Sequence, residues 1–330
     1  MLLNERALRL ADHMAATAAA LRIAVANTAN GARILDCGIA AEGGLQAGLA
    51  LARVCLAGYA EVALVPGPSP ISPPGTEGDQ EGVSAPLVQV YSDHPVLACM
   101  ASQYAGWQVS VGKFFAMGSG PMRAAYGKEE LFDHIPGREQ ASAAVGVLET
   151  SQLPGDEVAA YLAEKLNLPP NKLTLLAAPA SSQAGSVQVV ARSLETALHK
   201  LYELKFDLRQ IVSGYGIAPL PPVAADFLGA IGRTNDAILY GGQVVLWVRG
   251  DDEQLAEIGP KVPSSASPDH GAPFTEIFER YERDFYRIDP LLFSPAVIVL
   301  QNLRTGKSHV FGRIERAVLR RSFGYNERPT

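Results

Sequence analysis

The amino-acid sequence predicts a mixed α/β fold (α+β), with sheets and helices layered in two domains. Strand-like and helical stretches alternate through the second half of the chain, which is typical of sheets covered by helices. The chain has 330 residues, of which 48% are hydrophobic and only 19% are charged. Such a chain can bury a substantial core, and its length favours two domains. We place the division near residue 145, giving domains 1–145 and 146–330, and allow the C-terminal strands to return to the first domain.

The first predicted elements are a helix and a β-hairpin. Apolar residues with helical spacing predict the N-terminal helix: Leu3, Ala7, Leu10, Met14 and Leu21. The dipeptide Asn30-Gly31 lies between two β-prone runs, residues 21–29 and 32–37. It best supplies the two positive φ angles of a tight turn, so we expect a hairpin there. A second helix is predicted after Gly44, whereas the many prolines and glycines of residues 66–85 predict an exposed loop.

The middle of the chain contains a small-residue segment and a glycine turn. Residues 93–109, DHPVLACMASQYAGWQV, place Ala, Ser and Gly between larger apolar residues, which predicts a helix in close contact with a neighbour. Gly118-Ser-Gly120 before Pro121 predicts a turn that leads into a helix. The backbone N–H groups of such a turn can hold an anion, although most are only tight turns. The segment lacks the spacing of a Walker loop and of a GxGxxG fingerprint.

The second half supplies the alternation of strands and helices. Its predicted strands are residues 145–148, 173–177, 210–213, 296–300 and 308–314, and its predicted helices are residues 156–166 and the one that carries Glu195. In GRTNDAILYGG, residues 232–242, polar side chains lie between glycines. This pattern is typical of a turn and, less often, of a site that binds a heterocycle.

Composition and charge exclude several classes of protein. The net charge of -6 and the lack of a basic block argue against nucleic acid as a partner. Charges at the start of the chain and at Arg53 and Glu61 interrupt the apolar runs that a secretion signal or a membrane span needs, so we expect neither. Cys37, Cys55 and Cys99 are widely spaced and odd in number, which is typical of reduced thiols in a cytoplasmic protein.

The histidines give no metal-binding pattern. They are scattered, without HxxxH or HxH spacing and without a CxxC pair beside them: His13, His94, His134, His199, His270 and His309. Because zinc sites draw their ligands from such spacings, we expect no protein-bound metal.

An arginine and a carboxylate lie three residues apart in GSVQVVARSLETA, residues 185–197. A strand and a loop of small residues precede this block, which is predicted to be helical, so Arg192 and Glu195 can touch on one face. Gln188 and His199 share that face, opposite an apolar stripe. Periodicity alone favours a solvated face with ordinary ion pairs. A functional interpretation requires a second body of protein that covers the face and forms a cleft.

Six blocks of the sequence, in the right order, match a known family. The chain resembles the methenyltetrahydromethanopterin cyclohydrolases through nearly its whole length. The blocks are NGARILDCG from Asn30, DHPVLACMASQYAGWQV from Asp93, FAMGSGP from Phe115, GSVQVVARSLETA from Gly185, GRTNDAILYGG from Gly232 and DFYRIDPLLFSPA from Asp284.

The resemblance implies a reaction, an architecture and an assembly. Water opens the cationic bridge between N5 and N10 of methenyltetrahydromethanopterin, or of its dephospho form, and gives the N5-formyl carrier in a reversible step. Neither a metal nor an organic cofactor is implied. The family has a two-domain α/β design whose interdomain cleft takes the pterin, and its subunits form homo-oligomers, often trimers.

The resemblance also implies roles for single residues. Arg192 and Glu195 match the family's RxxE motif at the reacting carbon, so we expect Glu195 to act as general base and acid and Arg192 to hold it in place. The expected substrate contacts are Ser181, Ser182 and Gln183 beside the catalytic helix, Gly118, Ser119, Gly120, Thr234, Asn235 and Asp236 near the pterin, and Lys113 and Arg123 at the anionic end of the carrier.

Two other classes of function stay open at this point. A non-catalytic pterin-binding or assembly protein would keep the same fold, although the presence of both Arg192 and Glu195 counts against it. A phosphate or nucleotide binder would use the turn at Gly118 to Gly120, but no strand-coupled fingerprint accompanies that turn.

Overall fold

The computed structural model of the chain describes residues 2–67, 86–284 and 287–324. The strands, in chain order, are β1 (Ala24–Asn27), β2 (Arg33–Asp36), β3 (Glu61–Pro66), β4 (Pro86–Ser92), β5 (Trp107–Val111), β6 (Phe114–Ser119), β7 (Ala144–Glu149), β8 (Leu173–Ala178), β9 (Ile211–Pro219), β10 (Gln243–Val248), β11 (Val297–Asn302) and β12 (Ser308–Gly312). The loop predicted at residues 66–85 falls almost entirely outside the described residues.

The α-helices are α1 (Leu3–Ala16), α2 (Ala18–Leu21), α3 (Leu45–Cys55), α4 (Met122–Tyr126), α5 (Leu131–His134), α6 (Asp156–Leu166), α7 (Gln183–Val190), α8 (Ser193–Glu203), α9 (Phe227–Leu239), α10 (Asp252–Ile258), α11 (Phe274–Arg280) and α12 (Arg316–Phe323). A π-helix, Val96–Gln103, lies between β4 and β5 in the chain and occupies the predicted small-residue helix. Short 3-10 turns lie at Pro170–Lys172, Leu208–Gln210, Gly259–Lys261, Ser264–Ala266 and Pro290–Leu292.

The chain folds into two compact units, each formed by two segments. The first unit contains Met1–Glu61 and His94–Gln188, and the second contains Val62–Asp93 and Val189–Thr330. The segments interleave because strand pairing is not sequential: β4 pairs with β9, whereas β7 pairs with β8 and β8 with β2. This division differs from the single boundary expected near residue 145, and the domains 1–145 and 146–330 stay a prediction.

The first unit is built on a sheet whose described strands follow the order β1-β2-β8-β7-β6-β5. β2, β8 and β7 are parallel neighbours, whereas the outer pairs are antiparallel. Along β8, Leu175 joins the apolar cluster that includes α6, and Leu176 joins the cluster that includes α1 and α3. This alternation with period 2 is what a strand covered by helices on both faces requires. Helices therefore cover both faces of this sheet.

The second unit has its own sheet, in which the described strands follow the order β12-β11-β10-β9-β4-β3. β10 and β11 are parallel, and β9 pairs antiparallel with both β10 and β4. Helix α8 packs on β9 and β10, and α9 packs against α11 and α12. The predicted apolar stripe of α8 is confirmed, since Leu194, Leu198 and Leu201 are buried.

The mixed α/β class is confirmed, and so are both predicted hairpins. β1 and β2 pair antiparallel, but only Gly31, at φ +94, takes a positive φ. The connection spans residues 28–32 instead of two residues, so Asn30 does not need the left-handed region that a two-residue turn imposes. β11 and β12 form the terminal hairpin.

The prediction of a turn within residues 232–242 is wrong, because most of this segment lies in α9. The helix begins where the side chain of Asp226 accepts a hydrogen bond from Gly229 N–H at 2.8 Å. Further along, Thr234 Oγ1 donates to the Ala230 carbonyl at 2.8 Å. A side chain that favours turns by competing for backbone groups here bonds to the preceding turn of its own helix.

Candidate active site

Two helices carry the Arg192/Glu195 block, where the sequence predicted one. α7 and α8 are separated by Ala191 and Arg192. The carbonyl of Arg192 accepts a hydrogen bond from Thr196 N–H at 2.9 Å, and Glu195 lies in the first turn of α8. The pair therefore occupies the amino-terminal end of a helix, where the helix dipole stabilises negative charge.

The polar face of this block is buried. Gln188 exposes 3% of its surface, Arg192 exposes 7% and Glu195 exposes 5%. The solvated face that periodicity favours is therefore wrong for these residues. Arginine and glutamate are rarely buried in proteins, because the loss of hydration is costly unless other groups compensate it. Their burial at one helix end supports a functional interpretation of the pair.

Two glycines in β9 let the first turn of α8 approach the sheet. A Cβ at Gly216 would lie 2.6 Å from Ser193 Oγ and 2.9 Å from the backbone nitrogen of Leu194. A Cβ at Gly214 would lie 2.6 Å from a methyl carbon of Leu194. A larger residue at Gly216 would therefore displace the turn that holds Glu195, whereas at Gly214 it would displace the Leu194 side chain. We did not single out these glycines from the sequence, although alternate glycines in a strand signal close approach of another backbone.

In the first unit, Ser181, Ser182 and Gln183 follow the carboxyl end of β8. Ser182 begins α7: its Oγ accepts from Gly185 N–H at 3.0 Å and donates to the Pro179 carbonyl at 2.9 Å. The Ser182 hydroxyl therefore uses its donor and one acceptor site to cap the helix. Ser181 and Ser182 are half-buried, and Gln183 is exposed.

The sheet brings Lys113 to the same end of the strands as the loop of Ser181 to Gln183. Because β6 runs antiparallel to β7, the start of β6 lies beside the end of β7. The hydroxyl of Thr150, just after β7, donates to the Phe115 carbonyl near the start of β6 at 2.9 Å. Lys113 is exposed in the β5–β6 turn. Lys113 and the loop of Ser181 to Gln183 thus both lie at the carboxyl end of the parallel strands. Two strand spacings separate them, because β7 lies between β6 and β8.

The turn at Gly118 to Gly120 lies toward the other end of the strands. Ser119 pairs with Val147 in the interior of β7, and its Oγ donates to the Val147 carbonyl at 3.2 Å. The backbone N–H of Gly120 donates to the Ser102 carbonyl at 2.8 Å. Gly118 and Ser119 are buried. Since the protein itself occupies these groups, nothing in this geometry favours the phosphate or nucleotide binder.

Arg123 lies in the interior of the first unit instead of at its surface. The side chain is fully buried, at 0% exposure. Its Nε donates to Glu129 Oε1 at 2.9 Å, and its Nη1 donates to the Met100 carbonyl at 3.0 Å. The guanidinium also lies over the Tyr104 ring, 4.9 Å from the centroid. These contacts satisfy the charge internally and give Arg123 a structural role, so the structure offers no support for its expected contact with an anionic tail.

The three polar residues of α9 are held inside the second unit. Asn235 Nδ2 donates to the Ile231 carbonyl at 2.9 Å, and Thr234 bonds one turn back in the same way. Asp236 is fully buried, and its Oδ1 accepts from Phe274 N–H, at the start of α11, at 2.8 Å. Burial raises the pKa of Asp236 to about 7, although hydrogen bonds from Ser322 and Phe274 oppose the rise. Asp236 thus joins α9 to α11 and α12.

The described part of the chain contains no group of three or more His, Cys, Asp or Glu side chains placed to hold a metal ion. Within the same residues, no helix has both the length and the apolar character needed to cross a membrane. Cys37, Cys55 and Cys99 are buried and form no disulfide within the described residues.

Comparison with known proteins gives one consistent family. The family described as Cyclohydrolase (MCH) matches residues 2–323 of this chain. A methenyltetrahydromethanopterin cyclohydrolase of Rhodopirellula baltica is 49% identical over 302 residues, covering 90% of this chain and 87% of the relative. Proteins of the same description from Methylobacillus flagellatus and Methanococcoides burtonii are 45% and 41% identical, covering 96% and 97% of this chain and 94% and 98% of the relatives.

The close approach of α8 to Gly216 predicts a loss of turnover for Gly216→Ala. The new methyl group would push the first turn of α8 away from β9 and misplace Glu195, so kcat should fall about tenfold or more. Steady-state kinetics measure the effect. Gly155→Ala is the matched control, because a Cβ there meets nothing within 4 Å. Unchanged kcat in Gly216→Ala would show that the position of this turn does not matter to the chemistry.

The raised pKa of Asp236 predicts a pH-dependent stability. The ordinary value is 3.8 and the value in the folded protein is about 7, so the folded state keeps a proton that the unfolded state releases. This contribution is fully present below pH 3.8 and is lost as the pH rises to about 7, by at most about 1.4 kcal/mol per pH unit. Asp236→Asn stays neutral and loses this slope. Urea unfolding of both proteins between pH 5 and 8 measures it, and parallel pH profiles would contradict the assignment.

Proposed function

We propose, from the premise that the chain belongs to the methenyltetrahydromethanopterin cyclohydrolase family, that it hydrolyses N5,N10-methenyltetrahydromethanopterin to the N5-formyl carrier in one-carbon metabolism. The observation that carries the site assignment is the burial of Arg192 and Glu195 together at the start of α8. The catalytic residues are Glu195 and Arg192. The substrate is the methenyl carrier or its dephospho form.

The substrate determines what the protein must supply. The bridging carbon is part of an amidinium and is already electrophilic, so the enzyme has to place one water and move protons. Glu195 accepts a proton as the water oxygen bonds to the bridging carbon. It then returns that proton to N10 as the carbon–N10 bond breaks. The second water proton leaves to solvent when the formyl C=O forms, which balances the loss of the substrate's positive charge.

The position of Glu195 suits both halves of this cycle. A carboxylate in the first turn of a helix is stabilised as the anion that accepts a proton. Once protonated, the same carboxyl group is the acid that returns the proton to N10. One side chain therefore serves as base and then as acid on the same face of the substrate.

Arg192 is proposed to hold Glu195 in its reactive geometry. An arginine three residues before a glutamate at a helix start lies on the same side of the helix. The fixed positive charge of Arg192 favours the ionised carboxylate. Because the guanidinium is planar, it also restrains the orientation of that carboxylate. A cationic substrate beside an arginine is electrostatically unfavourable, so we expect Arg192 to act on Glu195 more than on substrate affinity.

The proposal includes no cofactor and no metal ion. Hydrolysis of an amidinium transfers no electrons, and the positive charge of the substrate already supplies the activation that a Lewis acid would give. A cytoplasmic location is proposed on the basis of the three free, buried cysteines, which suit a reducing compartment. A homo-oligomer, with a trimer as the expected form, is also proposed from the family resemblance; light scattering during size-exclusion chromatography measures it.

Replacement of the proposed base predicts loss of chemistry without loss of shape. Glu195→Gln keeps the volume of the side chain but cannot take a proton from water, so kcat should fall roughly 10²–10⁴-fold. The decay of the methenyl chromophore measures turnover, with a methenyl folate as the comparison substrate. Glu253→Gln, an exposed glutamate in the first turn of α10, is the matched control. Near-normal kcat in Glu195→Gln would remove Glu195 from the mechanism.

Loss of the arginine predicts a different kinetic signature. Arg192→Ala should lower kcat about tenfold or more while KM changes little, because the residue positions the base. The exposed Arg209, which pairs with Asp207, supplies the control Arg209→Ala. If only KM rises in Arg192→Ala, the arginine binds substrate and does not position Glu195.

A further inference from the structure

One face of the second unit's sheet lies against helix α8, and its residues are buried. Helix α8 packs on β4, β9 and β10. The paired strand residues of this covered face form two rows: Val90, Gly216, Val244, Ile298 and Phe311, and Ser92, Gly214, Leu246, Leu300 and His309. All are buried except the two on the edge strand β12, which are half-buried. The covered face therefore belongs to the core of the second unit.

The opposite face of the same five strands is open. Its central row runs straight across the sheet, each member paired with the next: Tyr91, Tyr215, Val245, Val299 and Val310. Tyr91 exposes 46% of its surface and Val310 exposes 64%, and the three residues between them are half-buried. Side chains alternate between the two faces of a strand, so one row is covered and the neighbouring row is not. An apolar row thus lies on the accessible side of the sheet.

Two flanking rows extend this open face along the strands. One contains Gln89, Ile217, Gln243, Val297 and Gly312, and the other contains Ser213, Trp247, Gln301 and Ser308. No residue of the three rows is buried, and none carries a charge. A carboxylate, Asp93, lies at the margin, where its Oδ1 accepts from Ser213 Oγ at 2.7 Å. Because the solvated face of an antiparallel sheet is ordinarily polar, this composition indicates a surface that is covered by a partner.

The open face is large enough for a specific contact. Its five strands span about 19 Å across the sheet, and its three rows span about 14 Å along the strands. With the side chains at the margin included, two such faces have a projected area of roughly 900 Å², close to the total of about 1,000 Å² that specific interfaces exceed. Accessible area is larger than projected area because the side chains stand out from the sheet. Two faces in contact therefore reach the size of a specific interface.

The character of the face favours a second copy of this chain as the partner. An uncharged face meets its own copy without like-charge repulsion, and a sheet packs on another sheet at a spacing of about 10 Å. Tyrosine and tryptophan are enriched in protein interfaces, and Tyr215 and Trp247 lie on this face. A membrane surface attracts proteins through Lys and Arg beside apolar groups, and the three rows contain neither.

We infer that the open face of the second unit's sheet is a contact between copies of this chain. Two copies packed face to face form a dimer, and three faces packed around one axis form a trimer. The inference goes beyond the proposed reaction, because it rests on the burial and composition of this sheet alone. It gives the proposed homo-oligomer a defined surface.

A charge placed in the central row tests the inference. Wild-type protein should sediment as an oligomer, whereas Val245→Glu and Val310→Glu should sediment as monomers. Burial of the new carboxylates in the contact should weaken association at least about 100-fold. Val310 is largely exposed in a single copy, so its replacement leaves folding intact, which circular dichroism and the melting temperature check. If Val245→Glu fails to fold, Val310→Glu decides alone.

The matched control is Val223→Glu. Val223 exposes 43% of its surface in the same unit but lies outside the strands, between β9 and α9. This variant should keep the mass of the wild type. Dissociation of Val223→Glu to the same extent, or oligomers that persist in both strand variants, would overturn the inference.

The emission of Trp247 measures the contact independently. The chain has two tryptophans, and Trp107 is buried in the first unit. In Val310→Glu the emission should shift to longer wavelength, because the Trp247 ring meets water when the copies separate. The same substitution in a Trp247→Phe background should cause no shift. Dissociation without any change in emission would place the contact elsewhere and contradict the inference.

Turnover assays on the same samples separate this inference from the proposed function. A wild-type monomer that hydrolyses methenyltetrahydromethanopterin would overturn the interface and leave the reaction in place. A monomer that cosediments with neutral phosphatidylcholine vesicles would assign the open face to a lipid surface and overturn the interface as well. An inactive wild-type oligomer that Val310→Glu dissociates would support the interface and reject the proposed reaction.

Discussion

The burial of a carboxylate, Glu195, is the constraint on which the rest of the site in the second unit depends. A glutamate that exposes only 5% of its surface has lost most of its hydration, and the protein has to replace it. The start of α8 supplies partial positive charge, and Arg192 supplies a full one three residues earlier. Neither can act unless the helix starts at this point of the chain. The interruption at Ala191 and Arg192 therefore sets the electrostatics around Glu195, because a continuous helix would place Glu195 in its interior, away from the positive end.

The sheet beneath α8 is shaped by the same requirement. Gly214 and Gly216 interrupt a strand that would otherwise carry side chains, at a cost to strand stability. In return the first turn of α8 lies so close to β9 that a Cβ at Gly216 would lie 2.9 Å from the backbone nitrogen of Leu194. Such a close approach leaves the turn little room to shift toward the sheet. A base that has to meet one water at hydrogen-bond distance benefits from that stiffness.

Local pattern predicted most of the fold, and it failed where contacts distant in sequence decide the structure. The N-terminal helix, both hairpins and the strands β7 and β8 follow from periodicity and turn residues. The interleaved units do not, because the pairing of β4 with β9 leaves no trace in local composition. Residues 232–242 favour a turn by residue type, yet the cap at Asp226 and the tertiary bond of Asp236 to α11 stabilise a helix. The RxxE motif was visible in the sequence, whereas the burial that gives it meaning depends on tertiary packing.

Two buried aspartate or glutamate side chains show why residue type alone does not assign a role. Asp36 and Glu195 are both carboxylates that expose 5% or less of their surface. Asp36 accepts hydrogen bonds from four backbone N–H groups, so it stabilises the shape of a loop and has little capacity left to accept a proton. Glu195 lies in the first turn of α8, three residues after an arginine, so a helix start and a cation both place positive charge near it. A carboxylate with all its acceptor sites filled serves as a structural anion. The four backbone donors around Asp36 therefore assign this buried acid to the shape of its loop.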